Sequence, residues 1–218
     1  MFEKMKSVYF LATLCFSTSI SFAAWDGSAV TPPSSDSTIS LYNCPTTVPI
    51  YHISTPEQLA GLAEVVNTVD SSGTDPWKGY YFAVLENDIV FGDDTSSVSD
   101  ELWVPIGVMK GLVSVMHFDG NGHTIYGIYL TGVADSVFGL FGFLENAELK
   151  NLTIANFSAS ITPDYSFWAG DFYGGSLVGR AEYSHIHNVH SRGGTMHVEV
   201  LPETTLRDST NKKYYIGV

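Results

Sequence analysis

The chain has 218 residues, 44% of them hydrophobic and only 15% charged, a composition that builds a core rather than staying disordered. Ten Lys and Arg stand against 23 Asp and Glu, for a formal charge of −13. That balance excludes the basic stripe needed to bind nucleic acid and disfavours anionic membrane surfaces.

Lys4 and Lys6 precede an uncharged, mostly apolar stretch over 8–20, and Ser21-Phe22-Ala23 offers small residues at a cleavage site. This is the three-part pattern of a secretory signal peptide over 1–23, so the chain is expected to be exported, to the exterior or the outer cell surface. The run falls short of the roughly 20 residues of a spanning helix, and no other run is long enough for a transmembrane segment. Leu14 stands before Cys15 where a lipid-anchor motif takes a small residue. Once the signal leaves, Cys44 is the remaining cysteine, so the chain is no disulfide scaffold.

Residues 24–48 hold Pro32, Pro33 and many Ser and Thr, the composition of a flexible linker or arm. Order is expected from a short strand over 50–53. A helix follows, with Thr55 as N-cap, Pro56 at the first helical position and Gln58 completing a capping box. Leu59, Leu62, Ala63 and Val66 form its buried stripe. Asn67 and the turn at Ser71-Ser72-Gly73 end it.

The remainder reads as short strands separated by Gly, Asn and Asp. Ile125-Tyr126-Gly127-Ile128-Tyr129-Leu130, Leu149-Lys150-Asn151-Leu152-Thr153-Ile154 and Ile186-His187-Asn188-Val189-His190-Ser191 share one pattern. Gly139-Leu140-Phe141-Gly142 matches Ser176-Leu177-Val178-Gly179, and the same spacing carries Leu149 to Ile186, Asn151 to Asn188 and Ile161 to Val198. The first copy, from Ile125, follows at a shorter interval and is expected to lack the third strand of its coil. Repeats of this length, whose strands cannot bury their faces alone, imply a stacked solenoid. Gly127, Asn151 and Asn188 are expected at one corner, where Gly and Asn tolerate the left-handed conformation. A second corner is expected near the glycines of 139–142 and 174–179. Stacked Asn side chains are expected to hydrogen-bond along the coils.

Gly139-Leu140-Phe141-Gly142 resembles the GLUG motif of bacterial surface proteins, with Ser176-Leu177-Val178-Gly179 as a second copy. Trp103-Val104-Pro105-Ile106-Gly107, the segment from Phe118 to Ile125 and the capped helix from Ile53 to Ala60 are similar to segments that precede GLUG repeats. The resemblance covers roughly residues 49–218. It implies an all-β fold, a right-handed parallel β-helix with one short N-terminal capping helix, on an exported, adhesin-like protein.

No catalytic, cofactor-binding or metal-binding residue is assigned. His185, His187 and His190 lie on one predicted strand, with His185 and His187 outward near His197, and read as an exposed polar face before zinc ligands. Asp93, Asp94, Asp100 and Glu101 read as a solvated loop before a calcium site. Asp119-Gly120-Asn121-Gly122 reads as a tight turn with its two glycines at positive φ. The metallopeptidase relatives of GLUG proteins need two His flanking a Glu on one helix, a run this chain lacks. Arg180, Arg192 and Arg207 do not sit beside an acidic cluster as lyase chemistry on this fold requires, and no Ser-His-Asp or Cys-His constellation is legible. The aromatic segment from Tyr165 to Tyr173 reads as packing under residues 201–214, or as a surface that stacks on sugars. Asn151 and Asn156 begin glycosylation-type triplets.

The expected function is a structural or adhesive β-helix domain without catalysis. A carbohydrate-active enzyme or carbohydrate-binding module is the alternative. Expected partners are a surface polysaccharide or host glycan and further coils of the same chain. The final Tyr214-Tyr215-Ile216-Gly217 resembles the lead-in Phe172-Tyr173-Gly174-Gly175, so another coil is expected to follow residue 218.

Overall fold

The computed structural model describes residues 23–41, 44–68, 80–107, 115–134, 137–163, 172–199 and 214–216. The expected signal segment, apart from Ala23, lies outside these residues, as do Arg207, Trp168 and most of the aromatic segment. Strands β1 (Ser34–Leu41) and β2 (Cys44–Ile53) precede helix α1 (Pro56–Asn67). Then come β3 (Tyr80–Leu85), β4 (Ile89–Val90), β5 (Val115–Asp119), β6 (Thr124–Tyr126), β7 (Tyr129–Ala134), β8 (Val137–Phe138) and β9 (Phe141–Glu145). The last are β10 (Glu148–Pro163), β11 (Phe172–Gly174), β12 (Val178–Glu182), β13 (His185–Val198) and β14 (Tyr214–Ile216). Among the described residues every pairing except β1 with β2 is parallel, and the strands wind into a β-solenoid of about three turns.

The long strands β10 and β13 each turn two corners. Leu149 and Leu152 both face inward although three residues apart, because Asn151 between them adopts φ 54°. Asn156, also at φ 54°, repeats the device before Phe157. One left-handed residue per corner redirects the chain while both flanks keep their apolar side chains inside. Asn188 and Gly193 turn β13 in the same way. The expected spacing holds: Leu149 pairs with Ile186, Ile161 with Val198, and the Asn188 amide reaches Asn151 across 37 residues. The two GLUG-like tetrapeptides stack, Phe141 opposite Val178, and Phe172 pairs with Tyr214 as the lead-in likeness anticipated.

Three expectations are corrected. Ile125 pairs with Ile154 rather than Leu149, so Gly127 belongs to the corner of Asn156 and Gly193. The first coil does not lack its third strand, because β7 pairs with the end of β10. The corner after Asp119 is simply longer, and it turns through Asn121 and Gly122 at positive φ, not through Gly120. Gly120 is small for another reason: a Cβ there would stand 2.5 Å from the Asn151 carbonyl. The second corner stands where expected, with bends at Gly139-Leu140 between β8 and β9 and at Ser176-Leu177 between β11 and β12; Gly142 and Gly179, at ordinary φ just past it, lie where neighbouring backbones approach closely.

The arm expected over 24–48 is not a free linker. Ser34 to Leu41 pairs antiparallel with Cys44 to Tyr51, and Trp25 is 5% exposed in the core. Its ring stands edge-on to Phe91, with centroids 5.1 Å apart, and its amide bonds the Phe91 carbonyl. Aromatic edges carry partial positive charge that favours this packing. Helix α1 matches its expectation: Thr55 accepts from the Gln58 amide, and the stripe Leu59, Leu62, Ala63, Val66 is buried. In the reciprocal bond Gln58 Oε1 accepts from the Ser54 amide, one residue before the cap. Among the described residues no helix is long and apolar enough to cross a membrane.

Candidate binding groove on the first parallel sheet

The first face of the solenoid is built by β2, β3, β5 and the opening segments of β10 and β13. Side chains alternate across each strand, so the parallel register lines up two outward rows. One runs Ile50, Phe82, His117, Glu148, His185, and the other His52, Val84, Asp119, Lys150, His187. Between the rows lies an open groove of about 410 Å³, bordered by His52, Phe82, His117, Asp119, Glu148 and Lys150. A second cavity of similar volume lies between α1 and Trp103 and is lined chiefly by apolar groups, among them Trp25, Leu102 and Val104.

In the groove the Phe82 and His117 rings stack with centroids 4.6 Å apart and planes 11° apart. His117 Nδ1 lies 3.2 Å from one Glu148 oxygen, and His187 Nε2 lies 3.3 Å from the other. Lys150 Nζ is 3.6 Å from Glu148 and 3.8 Å from Asp119. The hydrogen bond from His187, then that from His117, with Lys150 adding attraction, holds the Glu148 carboxyl below the usual glutamate range. Glu148 is therefore an anionic acceptor at neutral pH. Glycoside cleavage takes a carboxyl raised enough to deliver a proton, and Glu148 is shifted the opposite way.

At the hairpin end, His52 carries two partners. Its Nδ1 lies 2.6 Å from Glu86 Oε1 and its Nε2 lies 2.8 Å from Ser35 Oγ. This places a hydroxyl, an imidazole and a carboxylate in one hydrogen-bonded Ser–His–Glu row. The sequence carried no signal for it, because Ser35 fell in the presumed arm.

His185 and His187 share the outward face, as expected, but the corners at Asn188 and Gly193 carry His190 and His197 to other faces. Among the described residues no three His, Cys, Asp or Glu converge on a point where an ion would sit. Asp94 accepts from the Ser96 and Ser97 amides and the Ser96 hydroxyl, which lowers its carboxyl and folds the acidic loop upon itself. Arg180 lies over the rings of Tyr173 and Phe143 and pairs with Glu182, while Arg192 reaches the Tyr126 hydroxyl. Asn156 donates to the Thr95 carbonyl. Comparison with family models, curated proteins and solved structures found no match to this chain.

Proposed function

We propose that the chain is an exported β-solenoid module of the GLUG type its motifs resemble, with a structural and adhesive role, holding a glycan along the outer face of its first sheet. The observation that carries this reading is the Phe82–His117 stack flanked by Glu148, Lys150 and Asp119. The stacked pair offers apolar contact to a sugar along its exposed ring edges, and the bordering charges offer hydrogen bonds to the sugar's hydroxyls. With a formal charge of −13 on the chain and two carboxylates in the groove, anionic polysaccharides are repelled, so the ligand class is a neutral glycan. Export rests on the charged start, apolar run and small residues of the first 23 positions.

Titration calorimetry against neutral polysaccharides chosen from a glycan array tests the reading. Wild type binds, Phe82→Ala loses about tenfold or more in affinity, corresponding to roughly 1.4 kcal/mol, and uronate polymers do not bind. Absence of binding to every neutral glycan, or equal affinity in Phe82→Ala, overturns it.

A further inference from the structure

We propose that Ser35, His52 and Glu86 form a nucleophilic acyl-transfer site that cleaves carboxylic esters at the hairpin end of the groove. Three separate elements supply the residues: β1, β2 and the turn after β3. The antiparallel register of β1 on β2, with Ser34 opposite Tyr51, brings Ser35 beside His52. The Glu86 amide bonds the Ile53 carbonyl, which fixes the carboxylate on the other side of the ring. The two imidazole nitrogens are divided as the chemistry needs. Glu86 faces Nδ1, at 2.6 Å, and holds the proton there; Nε2, at 2.8 Å, is left to accept from the Ser35 hydroxyl.

The surroundings suit an ester carried on a large molecule. Ser35 is exposed and β1 is the edge strand of its sheet, so among the described residues nothing separates the hydroxyl from solvent. His52 donates its amide to the Pro33 carbonyl, which makes Pro33 and His52 a hydrogen-bonded pair. Facing pairs alternate along such a ladder, so the amides of Ser34 and Asp36 turn away from β2. These are the backbone donors adjacent to the nucleophile, available to a developing oxyanion.

In the reaction, Ser35 Oγ bonds to the ester carbonyl carbon while its proton passes to His52 Nε2. The bond from that carbon to the alcohol oxygen breaks, and the alcohol leaves with the proton from His52. Water, deprotonated by the same nitrogen, then attacks the acyl-serine, releases the carboxylic acid and restores the hydroxyl. Glu86 is a positioning residue that keeps the ring oriented. Since His52 also borders the groove, the polymer substrate is an O-acylated neutral glycan; that identity rests on the glycan-binding reading, whereas ester cleavage does not.

The test uses the exported chain with a fluorophosphonate probe and p-nitrophenyl acetate. Wild type takes up one equivalent of probe, mapped to Ser35, and hydrolyses the ester. Ser35→Ala loses both, and His52→Ala slows labelling by about 100-fold or more, the range of general-base catalysis. Glu86→Gln lowers kcat with little change in KM, and Glu86→Asp recovers part of it, which a merely structural tie would not produce. Failure of the folded wild type to label at Ser35, or equal labelling rates in His52→Ala, overturns the proposal. The probe and p-nitrophenyl acetate carry no sugar, so failure of glycan binding leaves this readout intact, and release of acetate from an acetylated neutral polysaccharide reports on the groove separately.

Discussion

The Asn188 side-chain amide donates to Asn151 Oδ1 at 2.8 Å. Asn151 donates in turn to Asp119 Oδ1 at 3.0 Å, so three successive coils are tied at one corner. Asp119 and Asn151 are half-buried and Asn188 is exposed, and the ladder works together with the left-handed backbone of both asparagines. Asn151→Gly keeps that backbone and loses only the ladder bonds, for a cost of about 0.5–1.5 kcal/mol. Asn151→Leu adds a left-handed penalty of about 1–2 kcal/mol. Lys150→Ala, on the outward row, costs about 0–1 kcal/mol. Urea unfolding of the three variants is expected to rank them Leu, Gly, then Ala from least to most stable, and a reversed order contradicts the corner described here.

Gly120 and Gly122 separate two reasons for glycine. A Cβ on Gly120 meets the Asn151 carbonyl at 2.5 Å and Leu152 Cα at 2.7 Å, so Gly120→Ala forces neighbouring coils apart at about 1–3 kcal/mol. Gly122 has open space but φ of +83°, so Gly122→Ala costs about 1 kcal/mol through backbone strain alone. Because Asn is among the residues that visit this conformation most readily, Gly122→Asn should recover part of the loss, whereas Gly120→Asn should not. Thermal unfolding of the four variants checks the distinction.

Trp25 tests the reassignment of the arm. In a free linker its replacement changes nothing, whereas here the ring fills space against Phe91 and Trp103. Trp25→Ala is therefore expected to cost about 3–5 kcal/mol. Val30→Ala, at 53% exposure on the same arm, should fall within about 0.5 kcal/mol. Equal unfolding midpoints for the two variants would return the arm to a linker.

Glu148 gives the groove a pH dependence. Its carboxyl is held below the usual range by His187 and His117. A group whose folded value is lowered contributes stability that is present above its unfolded value and lost as pH falls through the folded one. The stability gap between wild type and Glu148→Gln should therefore be full at pH 6 and narrow below about pH 4.3, the unfolded glutamate value. Urea midpoints measured across pH 3–6 decide this; a constant gap means that the bonds seen on Glu148 do not favour its charged form.

Much of the coil was legible because its signals are local. Leu149, Leu152 and Ile154 announce a strand that changes inward parity at Asn151, and only a corner permits that. The capping of α1 was legible for the same reason, since Thr55, Pro56 and Gln58 act within a few residues of one another. Gly127 reads like a residue of the Asn151 corner, because both corners use the same residue types. Four residues separate Asp119 from Thr124 where two separate Lys150 from Thr153, and that difference shifts the register. Turn chemistry identifies a corner but not which corner lies above it.

The sequence by itself determined that this chain stacks coils of parallel strands, because inward parity, left-handed corner residues and a recurring spacing are properties of single strands and their repeats. Only the tertiary structure decided what those coils bring together. Ser35, His52 and Glu86 meet across separations of 17 and 34 residues, and His117 meets Glu148 across 31. Such meetings depend on strand register, and a single step of register moves every side chain to the opposite face of the sheet. Trp25 shows the same limit: Ser, Thr and Pro mark a segment as lacking its own periodicity, but whether it is tied down depends on the surface that the rest of the chain offers it.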